Sequence, residues 1–587
     1  MRKAAFAAIF LTVALSALGQ VLPSPCPGPA AENDSCLSAQ VLAEMWSYYP
    51  VPLSASPDAT LVVARSRPEG ANGDELIVID PATGKIVRSL EWPDKLIHVL
   101  WRNNSMISFF TQERTNVRRL FIWDVKNGSA TEVPIPVTYN QPHVFWAPDG
   151  SKLAFGRESK GVVVVTDRGH GGPVEYSGNI AIFTWSADSK DLALIPDDES
   201  HQILILDSSS GRVVRRTTTR LEGKIVDIAW QPRKNMLILF QNKDSSRSLV
   251  ELEEGTGLER VLLHWKDDIR TPAWLSDHGG YVFQRLQNGA GDLFVGSDVG
   301  GAPQRLPLDG VADIRGISSD GKSIVALHRG ETPSELLQVP LDGGVPRVLA
   351  SANSSALPMA RPEEVYISSF DGLKIPLLVW RSPFAKPNAR AAVVRVHPTI
   401  HGAELPVWQE EIQMYLKHGV DFIGVNYRGS SGYGAAFEAA GNSEQRSRDL
   451  IAACDYAHSS LGVPYDRIVL LGNSNGSNLA LGAALIQPDH IGILALPALA
   501  GMPERWRTYT GGKRGSMQVF AFHGENDRHL PARIAKQMIE AALGEDALSP
   551  TSEHWRILKD DDHFLHLDRS WAIVHSMILR RLGLMAQ

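Results

Sequence analysis

Arg467-Ile-Val-Leu-Leu-Gly-Asn-Ser-Asn-Gly-Ser-Asn-Leu-Ala-Leu-Gly482 runs from an apolar, strand-like stretch through Gly-x-Ser-x-Gly into an Ala/Leu-rich stretch of helical character. The five letters alone arise by chance in a glycine-rich chain, but a strand before them and a helix after them describe a nucleophile elbow. Glycines at 472 and 476 leave room for a sharp turn that lifts the Ser474 hydroxyl out of the sheet. The next backbone N–H, that of Asn475, then faces a developing oxyanion.

A serine hydroxyl is a poor nucleophile near neutral pH and needs a base within hydrogen-bond reach, itself oriented by a carboxylate. Two later segments supply both. Met517-Gln-Val-Phe-Ala-Phe-His-Gly-Glu-Asn-Asp-Arg-His-Leu-Pro531 is a short apolar strand ending in a polar loop that carries Asp527. Trp555-Arg-Ile-Leu-Lys-Asp-Asp-Asp-His-Phe-Leu565 is a second strand-like run whose loop carries His563. Asp527 as a turn residue and His563 as a surface histidine beside three acids is the bland alternative. Against it, Ser474, Asp527 and His563 follow the α/β-hydrolase chain order, and each follows its own strand. Upstream, strand-like runs at Ala391–Val396 and Phe422–Val425 alternate with helical patterns at Trp408–His418 and Ser443–Leu461, as a mostly parallel sheet requires.

The first half of the chain repeats itself. Ala55-Ser-Pro-Asp58, Trp101-Arg-Asn-Asn104, Trp146-Ala-Pro-Asp-Gly150, Trp185-Ser-Ala-Asp188, Trp230-Gln-Pro-Arg233, Trp274-Leu-Ser-Asp277 and Ile317-Ser-Ser-Asp-Gly321 start at steps of 46, 45, 39, 45, 44 and 43 residues. We read each mark as a strand start and turn followed by a short apolar strand. A period of about 40–45 residues with several strands per unit is that of propeller blades, small antiparallel sheets that bury their faces against their neighbours. Seven marks predict seven blades, with six or eight if an end is miscounted; a β-sandwich or two unrelated β domains is the competing architecture. The tryptophans read as blade-to-blade core rather than as ligand platforms. The repeat ends at Arg361-Pro-Glu-Glu-Val-Tyr-Ile-Ser-Ser-Phe-Asp-Gly372. The expected organisation is a leader over 1–19, a linker with a helical pattern over 20–49, a β-propeller over 50–360 and an α/β-hydrolase domain over 363–587.

At 587 residues the chain exceeds what one core supports, and 43% hydrophobic with 21% charged residues is an ordinary globular balance. Met1-Arg-Lys3, the apolar stretch Ala4–Leu18 and the small-residue site Ala17-Leu-Gly19 read as a cleavable secretory signal, cut after Gly19, for a secreted or periplasmic protein. The stretch is short for a membrane span and no later run reaches about 18 apolar residues, so no stable membrane insertion is expected. No cysteine follows the site to take a lipid anchor. Loss of the two positive charges Arg2 and Lys3 takes the formal net charge from −7 to −9, and no basic run tracks a phosphate backbone, so nucleic acid is not an expected partner. Cys26 and Cys36 flank a Pro-rich polar stretch and are placed to pair in an oxidising compartment; Cys454, in an apolar helical pattern, reads as a buried small hydrophobe. No Cys/His spacing, acidic loop or glycine-rich phosphate cradle implies a metal or cofactor.

These motifs resemble those of the prolyl oligopeptidase family of serine peptidases, in feel nearest to its acylaminoacyl and dipeptidyl peptidase-like bacterial members. Gly472-Asn-Ser-Asn-Gly476 is similar to the family's nucleophile motif, His523-Gly-Glu-Asn-Asp-Arg-His-Leu-Pro531 to its His-Gly-x-x-Asp-x-x-Val-Pro loop, and Asp562-His563-Phe564 to its histidine loop. The most specific match is Asn426-Tyr-Arg-Gly-Ser-Ser-Gly-Tyr-Gly434, close to a family-typical Asn-Tyr-Arg-Gly-Ser-x-Gly-Tyr-Gly. It reads equally as a glycine-rich turn after a strand or as a wall of the active-site entrance. The departures fall near the substrate. Val394-Arg-Val-His-Pro-Thr-Ile-His-Gly402 stands where relatives carry His-Gly-Gly-Pro or Tyr-Gly-Gly. Pro398 has no N–H to offer, which leaves the second oxyanion donor open among the backbone around Thr399 and Ile400 and the side chains of His397 and His401. Ser477 replaces the elbow's second glycine. Ser474 and Asp527 are only 53 positions apart, so the segment that builds much of a proline pocket looks trimmed. Neither proline specificity nor, without a clear Glu-Glu element, dipeptidyl release is carried over.

The resemblance implies that Ser474, His563 and Asp527 cleave short peptides through an acyl-enzyme, that the propeller limits access, and that Leu37–Trp46 returns to pack on the catalytic domain. An esterase or other acyl hydrolase on the same scaffold is the alternative, since one triad cleaves both esters and amides; a non-catalytic propeller binding protein is the second. Oligomeric state is not legible.

Overall fold

The computed structural model describes residues 51–585 apart from 67–72, 113–117, 134–143, 158–160, 167–173, 198–200, 231–234, 254–255, 276–278, 353–360, 502–514, 566–567 and the single positions 179, 245, 289, 319 and 400. The leader, Cys26, Cys36 and the Leu37–Trp46 pattern lie outside the described residues.

Seven four-stranded antiparallel units follow one another over 51–91, 95–133, 144–176, 180–218, 223–265, 268–305 and 311–351. The sixth and seventh touch through one parallel pairing, Gly291 opposite Val311. First strands lie side by side from unit one to two and from unit three through seven, units two and three share a core of Phe110, Leu120, Val144 and Phe155, and the first strand of unit one also meets strands of unit seven, so the units form a ring. Ala59 and Val62 of the first unit share a core with Val325, Leu336, Leu349 and Ala350 of the last, which closes that ring by side-chain burial.

The repeating mark has a mechanical cause. Ser56, Ser186 and Ser318 donate their hydroxyls to Asp58, Asp188 and Asp320 at 2.6, 2.8 and 2.6 Å and accept the N–H of Leu61, Asp191 and Ser323 at 3.0, 2.9 and 3.0 Å. One local turn therefore recurs from blade to blade. The sequence reading put the mark at a strand start; the structure puts it at the end of each unit's first strand and in the turn to the second. The reason is that Ser-x-Asp hydrogen bonds satisfy the turn backbone and so must follow a strand. Trp185 and Trp274 are core, as expected, while Trp101, Trp146 and Trp230 are half-buried and pack against the cores between blades. Trp185 packs with Ala147, Ala154, Val162 and Val164 of the preceding blade and donates its indole N–H to Phe145 O at 2.9 Å; Trp274 packs between blades five and six.

The C-terminal sheet comprises β1 (Glu363–Ser368), β2 (Lys374–Trp380), β3 (Ala391–Val396), β4 (Val420–Val425), β5 (Ile468–Gly472), β6 (Ile493–Pro497), β7 (Gln518–Gly524) and β8 (Trp555–Leu558). Their spatial order is 1-2-4-3-5-6-7-8, with β1, β2 and β4 joined antiparallel and every later neighbour parallel. The longer helices are α1 (Glu410–Lys417), α2 (Ser443–Ser459), α3 (Asn475–Ile486), α4 (Ala532–Leu543) and α5 (Asp568–Arg581). The strands are apolar on both faces. Val394, Leu470, Leu494 and Val519 point to a core shared with α2, α3 and α4, while Val393, Val469, Ile493 and Phe520 point to one shared with α1 and α5. Helices on both faces are what a buried parallel sheet requires. Cys454 is a free thiol fully buried in the first of these cores. Among the described residues no helix is long and apolar enough to cross a membrane.

The chain leaves β3 toward β4 on one side and returns to β5 on the other. This reversal brings the loops after β3 and β5 together at the C-terminal edge, where open α/β sheets bind ligands.

Candidate active site

The turn from β5 to α3 is the sharp elbow the sequence predicts. Ser474 adopts φ 53° and ψ −121°, a strained conformation for a residue with a side chain. The flanking glycines are required sterically: a Cβ on Gly472 would lie 2.3 Å from Gly476 O, and one on Gly476 would lie 2.5 Å from Val396 O. Ser477, the departure from the family pattern, braces the turn, its buried hydroxyl lying within hydrogen-bond reach of Gly472 O and, at 2.7 Å, of Pro497 O. The Asn475 N–H opens α3 and is one of the helix-initial donors that lack an intrahelical acceptor, at the positive end of the helix dipole.

The structure brings the three predicted residues together. Ser474 Oγ lies 2.9 Å from His563 Nε2, and His563 Nδ1 lies 2.9 Å from Asp527 Oδ2. A carboxylate at Nδ1 fixes the proton there and leaves Nε2 as the acceptor for the serine proton. Asp527 and His563 are buried, whereas Ser474 is half-buried. Burial opposes ionisation of Asp527, but hydrogen bonds from His523, His563 and the Leu530 N–H outweigh it and hold the carboxyl well below the usual carboxylate range. The acid and histidine loops touch at Gly524, where a Cβ would lie 2.4 Å from Asp562 O.

The candidate side chains for a second oxyanion donor are otherwise engaged. His397 is buried, with Nε2 2.7 Å from Ser430 Oγ and Nδ1 3.2 Å from Tyr427 Oη; burial pushes its pKa down to about 4. His401 is 68% exposed and faces Glu438 at 3.4 Å. Thr399 O accepts the Gly402 N–H at 3.1 Å and the Tyr427 hydroxyl at 3.1 Å, while position 400 lies outside the described residues.

The 426–434 stretch proves to be a brace beneath the site as much as a border to it. Asn426 accepts the Glu404 N–H at 2.8 Å, Ser431 donates to His401 O at 2.5 Å, and Gly432 O accepts the Asn288 N–H of the sixth blade at 2.8 Å. Arg428 sends paired hydrogen bonds to Asp371 at 2.7 and 2.9 Å and to Asp449 at 2.9 and 2.8 Å, tying the β1–β2 hairpin to α2. These partners, and the contact of His523 with Asp527, were not singled out from sequence. The only trace is composition: a buried-looking Arg in a glycine-rich turn, and a histidine four residues before the acid.

Blades five to seven meet the hydrolase at its site loops. Arg247 lies 4.0 Å from Glu438, and the Trp408 N–H donates to Gly330 O at 2.7 Å. Between them lies a cavity of about 450 Å³ lined by Arg329 of blade seven and by His397, Glu404, Trp408, Asn473 and Trp571 of the hydrolase. Asn473, next to Ser474, presents a buried side-chain oxygen that has no hydrogen-bond partner among the described residues. Among those residues no group of three or more His, Cys, Asp or Glu side chains is arranged to hold a metal.

A propeller joined to an α/β-hydrolase with an elbow serine defines a serine hydrolase class. Residues 407–495, which contain the elbow, match the model of the prolyl oligopeptidase family. That match ties the segment carrying the elbow to a family of serine peptidases. Solved structures share the fold along nearly the whole chain. One, from a study of two prolyl endopeptidases, has a TM-score of 0.75 at 14% identity and covers 94% of this chain and 92% of its own. A puromycin-hydrolysing peptidase of Mycobacterium tuberculosis has a TM-score of 0.71 at 16% identity, covering 92% and 96%. Oligopeptidase B of Leishmania major has a TM-score of 0.72 at 13% identity, covering 95% and 90%.

Proposed function

We propose that the protein is an exported serine peptidase that cleaves short peptides through an acyl-enzyme, with Ser474 as nucleophile, His563 as general base and acid, and Asp527 as the orienting carboxylate. The observation that carries this reading is the continuous Ser474–His563–Asp527 hydrogen-bond chain at 2.9 and 2.9 Å. His563 Nε2 takes the serine proton as Oγ attacks the acyl carbon, and the Asn475 N–H holds the oxyanion. The imidazolium then gives its proton to the leaving amine, and water repeats the sequence to release the acid. Contacts of blades five to seven with the loops bordering the site support a screening role for the propeller, which admits short chains and turns folded proteins away. Export rests on the N-terminal leader alone.

Matched chromogenic peptide amides and short acyl esters, offered to the mature protein and to Ser474→Ala, test the proposal. Amide hydrolysis that disappears in the variant is expected. Ester hydrolysis alone, equally dependent on Ser474, would move the activity to an esterase, and undiminished turnover in the variant would overturn the mechanism.

A further inference from the structure

The site contains a second histidine that the mechanism above does not use. His523, at the end of β7, is 1% exposed, and its Nε2 lies 2.6 Å from Leu530 O and 3.0 Å from Asp527 Oδ2. Neither neighbour has a hydrogen to give, so Nε2 must carry one and share it between them. Asp527 Oδ2 thus receives two imidazole N–H groups, one from His563 and one from His523. Its Oδ1 receives two backbone donors, the N–H of His529 at 2.8 Å and of Leu530 at 3.0 Å. The His523 ring is held in turn by Trp555, whose ring lies 6.0 Å away and 16° from parallel.

We propose that His523 is a positioning residue for the reaction: its Nε2–H fixes the Asp527 carboxylate against the Leu530 loop and draws off part of the charge that His563 would otherwise feel. Two consequences follow from elementary electrostatics. A carboxylate with four donors cannot rotate, so His563 Nδ1 always meets the same oxygen. A carboxylate that shares its charge with a second donor stabilises the imidazolium less, which keeps His563 a base suited to accept and then release a proton. The other titratable groups around the pair are His529, whose ring lies 4.6 Å from that of His563, and Asp561 and Asp562 of the histidine loop. All three are unchanged in the variants below.

The inference rests on Asp527 being the acid of the site, which the Ser474→Ala comparison addresses separately. His523→Phe keeps a ring against Trp555 and removes the N–H; His523→Gln restores an N–H near the position of Nε2. In the Phe variant kcat should fall about tenfold to a hundredfold with KM within about threefold. The acid limb of kcat/KM should rise by about half a pH unit or more, and the Gln variant should recover most of both. A Phe variant with parental kcat and an unmoved limb would overturn the proposal, as would Phe and Gln variants impaired alike with the limb in place, the mark of a merely structural role. Should the Phe variant not fold, the Nε2–H resonance of His523 in the histidine-labelled full protein decides: it should shift when Asp527→Asn is introduced, and an unshifted resonance would overturn the contact without reference to activity.

Discussion

Asp527→Asn is the substitution whose outcome the geometry determines most completely. Oδ1 faces two backbone N–H groups, those of His529 and Leu530, and Oδ2 faces the rings of His563 and His523. An asparagine turns its one oxygen toward the two backbone donors, because the reverse orientation sets an amide NH₂ against both, whereas the His523 Nε2–H that the NH₂ then faces keeps Leu530 O as its acceptor. The NH₂ then faces His563 Nδ1, which can meet it only as an acceptor. The imidazole proton moves to Nε2, now pointing at Ser474 Oγ, and the ring can no longer take the serine proton. Loss of the base in this way corresponds to about 10⁴ in kcat, or about 5.5 kcal/mol of transition-state stabilisation. KM should change little, since Asp527 is buried away from substrate. Steady-state kinetics on a peptide anilide at pH 7.5, with circular dichroism to establish the fold, measures this. A folded variant that loses less than tenfold in kcat would refute the argument that Asp527 fixes the tautomer of His563.

Gly476→Ala should cost about 10² in kcat, because its methyl would stand 2.5 Å from Val396 O and 3.0 Å from His397 O and only backbone movement at the elbow relieves that; parental kinetics would show that the elbow has slack. Arg428→Met leaves Asp449 buried without its cation and should lower stability by about 3–5 kcal/mol, read as a fall in the urea midpoint of the hydrolase domain, with a loss below about 1 kcal/mol counting against the brace. Burial holds His397 at about 4 in the folded state against an ordinary 6.5, so its contribution is fully present above about pH 6.5 and is lost as pH falls toward 4. That difference is worth roughly 3 kcal/mol, and His397→Gln should flatten the stability loss between pH 7 and pH 4.5 in urea titrations; an equally steep loss in the variant would place the acid sensitivity elsewhere.

Local chemistry was legible in this sequence and long-range chemistry was not. The propeller period shows because Ser56, Ser186 and Ser318 repeat one turn whose hydrogen bonds close within six residues. The same locality explains the misplaced strand starts: a turn motif announces itself equally well from either side, and only pairing tells which strand it ends. Ser474, Asp527 and His563 were readable because each ends a strand of a parallel sheet, and topology alone carries such ends to one edge. Strand β3 was read at its observed bounds, while α1 proved shorter at both ends than the helical pattern over Trp408–His418, consistent with the Trp408 N–H being taken up by Gly330 O of the propeller. Arg428 with Asp371 and Asp449, and His523 with Asp527, are contacts between residues whose separate motifs say nothing of their pairing. The role of the loop at 397–402 emerges only from packing: His397, which sequence left open as an oxyanion donor, spends both ring nitrogens on Ser430 and Tyr427.

The most direct test of the account is covalent mapping with a fluorophosphonate, which reacts only with a serine whose proton a base can take. The account predicts one label per chain, on Ser474, formed at a rate that falls by orders of magnitude in His563→Ala and slowed by short peptides that compete for the site. Labelling at another residue, or labelling of Ser474 at the same rate without His563, would contradict the claim that this hydrogen-bonded trio is the catalytic centre.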